Sequence, residues 1–164
     1  NNINIELGGD YLFNFCIAAS YSNNYSLHKS AVLSVANFST RDANPATNNL
    51  QAIFNNCIFW GDNGFVDNEI VVDKKGTNAF NVTLSHCLYK ALTDPPHTNF
   101  IAVIKNENPL FDSIDVSTRY YDFRQNNNPA APGINKGTPT TILLDLDNNN
   151  RSVGVPDLGC YEKQ

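Results

Sequence analysis

The chain has 164 residues, 41% of them apolar and only 16% charged, with a formal net charge of −5. That length suits one domain with a continuous core. The eleven Lys and Arg residues are scattered, which argues against a nucleic-acid surface, because phosphate binding needs them clustered. No stretch approaches the roughly 18 consecutive apolar residues of a membrane helix.

About one residue in six is asparagine, against a charged fraction well below the usual quarter. Asparagine tolerates left-handed backbone and bonds to its own turn, so pairs and triplets of it mark many tight turns. The chain opens with Asn-Asn-Ile-Asn-Ile-Glu-Leu, already alternating like a strand and without the regions of a signal peptide. We read Asn1 as a boundary with more of the same fold upstream.

Four segments superimpose on one apolar pattern: YLFNFCIA (11–18), AVLSVANF (31–38), AIFNNCIF (52–59) and VTLSHCLY (82–89). Phe13, Leu33, Phe54 and Leu84 share one column, and Cys16, Ala36, Cys57 and Cys87 share another. Copies about 20, 21 and 30 residues apart fall in the range of solenoid repeats. Alternation slips inside each copy, most clearly at Asn55-Asn56, which predicts two short strands joined by a tight corner. Residues 61–81 form an excursion that lengthens the third repeat, with Lys74-Lys75 a solvated turn before Gly76. Helical periodicity with caps is almost absent, while Val, Ile, Phe, Thr and Tyr sit in runs bounded by Gly, Asn, Asp and Pro. The expected fold is all-β, a right-handed parallel β-helix of about four coils over residues 1–107. A β-sandwich would explain the strands but not the recurring columns.

The last third carries NPLF (108–111), YDFR (121–124), APGINKG (131–137), DLDNNNR (145–151) and PDLGCYE (156–162). This series resembles the C-terminal signature of secreted bacterial right-handed parallel β-helix proteins, pectate-lyase-like solenoids with a choice-of-anchor ending. Ala131, Gly133, Asn135 and Asn148 depart from the usual Ser, Ala, Asp and Gly of that pattern. The resemblance implies a protein exported to the cell surface or medium, and it specifies no activity. Residues 108–164 are expected to wrap and cap the coils, with Leu110, Phe111, Phe123, Ile134, Leu158 and Tyr161 as anchors and Gly137 and Gly159 permitting close approach.

Candidate chemistry is sparse. Asp145, Asp147 and Asn149 alternate like calcium ligands, but the loop lacks the glycine of an EF-hand and has Pro156 where its bidentate Glu belongs. A hydrogen-bonded turn with Arg151 bridging to Asp157 or Glu162 is expected instead. The cysteines have no C-x-x-C pairing. Cys57 and Cys87, on neighbouring coils, read as buried free thiols and not as a bridge. His28, His86 and His97 are isolated, and no nucleophile elbow, P-loop or dinucleotide fingerprint occurs. No cofactor, metal or catalytic residue is assigned. Asn24, Asn37, Asn81 and Asn150 match the N-glycosylation pattern, which an asparagine-rich chain generates by chance.

For function, the reading is a non-catalytic surface or secreted module engaged in carbohydrate interaction or scaffolding. Trp60, Tyr89, Tyr120 and Tyr121 lie near corners where rings could stack on sugars. A polysaccharide-acting lyase or hydrolase is the alternative, its active face on the coils or upstream. It needs converging carboxylates, and Asp62, Asp67, Glu69 and Asp73 read as spread along a solvated loop. Upstream coils or end-to-end self-association would cover the N-terminal strand edge.

Overall fold

A computed structural model describes residues 1–22, 26–39, 41–44, 46–62, 65–125 and 128–163. Among them there is no α-helix, and the strands form three parallel sheets and one antiparallel pair. The first sheet orders β1 (Ile3–Ile5), β4 (Leu33–Ala36) and β7 (Ile70–Asp73). The second holds β2 (Gly9–Asn14), β5 (Leu50–Asn55), β8 (Phe80–Ser85) and β10 (Thr98–Ile101). The third holds β3 (Ile17–Ser20), β6 (Ile58–Gly61), β9 (Leu88–Tyr89) and β11 (Ile104–Lys105). The chain visits the sheets in rotation three times and passes a fourth time through the second and third. This all-β arrangement of parallel sheets is compatible with a β-helix.

Register explains the columns. Phe13 pairs with Phe54, Phe54 with Leu84 and Leu84 with Phe100, at intervals of 41, 30 and 16 residues. Stacking repeats along the pile, with Phe13 on Phe54 at 5.0 Å and Tyr89 on Phe100 at 5.7 Å between ring centres. Ile5, Val35 and Val72 from the first sheet and Ala18, Phe59 and Tyr89 from the third close the same buried core. Between the second and third sheets the chain turns at Phe15, Asn56, His86 and Ala102, which occupy equivalent positions and share positive φ of 55°, 57°, 51° and 47°. A left-handed residue turns the chain sharply while its N–H stays in the ladder: Phe15 donates to Asn55 O, Asn56 to Ser85 O and His86 to Ile101 O.

Two expectations are corrected. Segment 31–38 is not a further copy of the corner unit. Its strand β4 lies in the first sheet between β1 and β7, so Leu33 pairs with Ile3 and Ile70 and Ala36 with Asp73. The apolar alternation is alike because both strand types bury one face, but the sheets differ. The 61–81 excursion likewise contains a core strand, β7, so a full pass has three strands and not two.

The C-terminal segment carries the antiparallel pair β12 (Ser113–Asp115) and β13 (Tyr120–Asp122). Part of it packs on the third sheet, on the side of Ile58 and Leu88. Leu158 is buried against Ile58 and Leu88, flanked by Ile17, Ile104, Trp60 and Phe111. Gly159, at φ +87°, sits where a β-carbon would come within 2.8 Å of Ile17, so both the left-handed backbone and the close approach favour glycine there.

Candidate functional site

Where β3 runs out into Tyr21 and β6 ends at Gly61-Asp62, residues of the 108–114 stretch cross over them and leave a cavity of about 390 Å³. Tyr21, Trp60, Phe111 and Ile114 are among its lining residues, together with Asp62 and Asp112 from two separate segments. The aromatic wall continues outward: Tyr21 stacks on Tyr121 at 6.2 Å, Tyr121 on Phe123 at 6.1 Å, and Phe123 meets Phe111 edge-on at 5.1 Å. Burial, then the negative charges of Asp62 and Glu69, push the Tyr21 hydroxyl up, so it remains a neutral donor at neutral pH.

The floor is tied from below. Asp62 donates its N–H to Ser20 O at 3.1 Å and accepts from the Ser22 N–H, while Lys90 Nζ donates to Asp62 O at 2.6 Å and to Gly61 O at 3.4 Å. Under Gly61, His28 Nε2 lies 2.8 and 2.9 Å from the two Glu69 oxygens. Both side chains are buried. Glu69 also accepts from Val32 N at 3.3 Å, and its own N–H donates to Lys90 O. Burial pushes the Glu69 carboxyl up, and the His28 hydrogen bond and charge oppose that without cancelling it. A β-carbon on Gly61 would stand 1.9 Å from Glu69 Oε1; the glycine is required by this close approach, not by its dihedral angles.

Sequence reasoning missed this pair, treating His28 as isolated and Glu69 as a solvated loop acid. Their separation of 41 residues equals that of the in-register Asn14–Asn55 and Asp10–Gln51 pairs. That repeat interval was the available signal, hidden by the mistaken copy at 31–38. Of the other acids in that stretch, Asp62 reaches the cleft, whereas Asp67 and Asp73 are exposed outside it. Among the aromatic candidates, Trp60 is half-buried in the cleft wall and Tyr121 stands behind it. Tyr120 is exposed, and Tyr89 is core, 2% exposed with its hydroxyl donating to Asp94.

The DLDNNNR loop is a closed hydrogen-bonded turn. Asp145 accepts from the N–H groups of Asp147, Asn149 and Glu162 and from the Asn149 amide. Arg124 grips Asp147 through Nε at 2.7 Å and a terminal nitrogen at 2.8 Å. Among the described residues no group of three His, Cys, Asp or Glu side chains could hold a metal ion. Arg151 reaches Glu162 at 3.2 Å and stacks over Phe15 at 4.0 Å, while Asp157 accepts from the N–H groups of Asn135 and Lys163. Cys16, Cys57, Cys87 and Cys160 are free thiols. Cys57 and Cys87 are fully buried, each donating to the carbonyl two residues earlier, Asn55 O and Ser85 O. Asn37 is buried with its amide spent on Lys75 and Asn48, and Asn24 lies outside the described residues.

Comparison with protein-family models, with characterised proteins and with solved structures finds no match to this chain.

Proposed function

We propose that the protein is a right-handed parallel β-helix module, exported or displayed at the cell surface, that binds a glycan in the cleft between the third sheet and the C-terminal segment. One observation carries the reading: a concave site walled by Tyr21, Trp60 and Phe111 and edged by Asp62 and Asp112. Flat rings accept the C–H face of a pyranose, and carboxylates accept its hydroxyls. The C-terminal motif series supports export, and the rotation of the chain through three parallel sheets supports the β-helix.

Trp60 is the single tryptophan, so intrinsic fluorescence reports on the cleft directly. Titration with an oligosaccharide panel should give a saturable change in Trp60 emission. Tyr21→Ala and Asp62→Asn should each weaken that binding about tenfold, which corresponds to about 1.4 kcal/mol. A panel that leaves the emission unchanged would sink the proposal.

A second reading is favoured by a specific observation, the convergence of Asp62 and Asp112 from different segments on one cavity. A glycoside hydrolase uses two carboxylates, one as acid and one as base or nucleophile. A reducing-sugar assay separates the readings: turnover abolished by Asp62→Asn or Asp112→Asn identifies an enzyme, and binding without turnover identifies a module.

A further inference from the structure

We propose that the hairpin at residues 142–155 is a self-association surface whose partner is a second copy of this chain. The inference does not draw on the cleft. Ile142, Leu143, Leu144, Leu146, Val153 and Val155 are all exposed, Leu146 at 69% and Val153 at 74%. Main-chain bonds hold the two arms side by side: the Arg151 N–H donates to Leu143 O at 2.9 Å, the Asp145 N–H to Asn149 O at 3.0 Å, and Leu144 bridges Asn150. Ile142 and Leu143 from one arm meet Gly154 and Pro156 from the other around a hollow of about 190 Å³. Apolar side chains scattered singly over a surface need no explanation, but these gather on one small structure.

Three observations favour a second copy. The six residues together expose about 600 Å², and with the uncharged rim of Thr140, Thr141, Asn150 and Ser152 they approach the roughly 800 Å² that each side gives to a stable interface. Convex and concave parts lie on the same surface, as contact across a two-fold axis requires. Val153 stands beside Gly154, where an added β-carbon meets nothing within 4 Å among the described residues, and Gly154 itself lines the hollow. Charge on the hairpin is already spent. Asp145 is buried under N–H donors, Asp147 is held by Arg124, and Arg151 is buried against Glu162. A chain of −5 thus meets its own copy here without opposing like charges. A bilayer fits less well, because residues 138–156 carry no Trp, Tyr or Lys to sit among headgroups.

Sedimentation equilibrium of the full chain is the test. Its mass should climb from 18.1 kDa toward twice that value as concentration rises through the micromolar range, where the weaker interfaces of this size form. Added salt should tighten the association by screening the net charge. Val153→Asp and Leu146→Asp alter exposed positions, so each should keep the parent circular dichroism spectrum while weakening dimerisation at least tenfold. A mass that stays at 18.1 kDa up to about 500 μM overturns the proposal, and so does a dimer that both variants leave intact. A monomer that co-sediments with phosphatidylcholine vesicles, and ceases to do so in the same variants, gives the hairpin to a bilayer and also overturns it.

Discussion

Asn56 couples the parallel sheets to the C-terminal segment, and replacing it tests that coupling. Its side chain makes a reciprocal pair with one residue, Oδ1 accepting from Thr138 N and Nδ2 donating to Thr138 O, both at 2.8 Å. Its own carbonyl accepts from Gly159 N at 2.8 Å, and its φ is +57°. Asn56→Ala leaves the N–H and C=O of half-buried Thr138 without partners, at about 1 kcal/mol each toward the lower end for such groups. It also places alanine in left-handed backbone, for about 1 kcal/mol more. The sum is about 3 kcal/mol, a large share of the roughly 5–15 kcal/mol that ordinarily separates folded from unfolded chains. With a urea slope of about 2 kcal/mol per molar, the midpoint should fall by about 1.5 M. Asn56→Gly relieves the backbone cost and should lie about 1 kcal/mol above the alanine variant. Circular dichroism follows the sheets, while Trp60, half-buried beside Phe111 and Leu158, follows the segment. In both variants Trp60 emission should shift red at lower urea than the sheets melt. An alanine variant within about 0.5 kcal/mol of the parent, inside the range of an ordinary surface change, would refute the coupling through Asn56. Equal losses for alanine and glycine would refute the backbone share.

Other outcomes follow from the same geometry. Gly61→Ala, whose β-carbon would stand 1.9 Å from Glu69 Oε1, should cost at least about 3 kcal/mol by breaking a buried pair. Glu69→Ala added to it should cost less than the separate losses combined, a coupling that a double-mutant cycle in urea reads out. Ala102→Gly should raise stability by about 0.5 kcal/mol, because glycine relieves the positive φ at the corner. Burial alone pushes the Asp145 carboxyl up, and the N–H groups of Glu162, Asn149 and Asp147 with the Asn149 amide outweigh it, leaving the group below its ordinary 3.8. Its stabilisation is full above the unfolded value and is lost as pH falls through the depressed one, so Asp145→Asn should flatten the acid limb of a thermal-melt series. Glu69, raised above 4.5 by burial, acts in the opposite sense. Its contribution is present below 4.5 and is lost as pH rises through the folded value, and Glu69→Gln should remove that loss.

Much of this architecture was legible from residue pattern. Period-two runs ending in a slip gave short strands and a corner, and the Phe13, Phe54, Leu84 and Cys16, Cys57, Cys87 columns are in-register neighbours because parallel pairing repeats a side-chain type. What misled was counting 31–38 as a copy of the corner unit, when its strand belongs to the first sheet. Intervals of 41, 30 and 16 residues between equivalent positions mean that loops absorb the variation while the strands keep register. An alternating segment such as 31–38 therefore fits several registers on paper and only one in space. The cleft was harder to see, because Tyr21, Asp62 and Asp112 come from three distant segments and meet only once β3, β6 and the 108–114 crossing are assembled. Tyr89 looked like a corner aromatic because its burial depends on Phe100, a residue from the next pass.

The seating of Leu158 also fixes an order of events in folding. Its binding stripe, Ile17, Ile58, Leu88 and Ile104, is drawn from four successive passes of the chain, so the groove does not exist until the last of them is in place. Closure of residues 108–164 is thus a late step, separated from its partners by up to the whole length of the coils and burdened with the slow kinetics of non-local contact. During synthesis that order costs nothing, since the segment leaves the ribosome after the strands it packs on. During refolding from denaturant the same segment competes from the start for any exposed apolar strand, and recovery should be poorest where that competition is strongest, at high protein concentration.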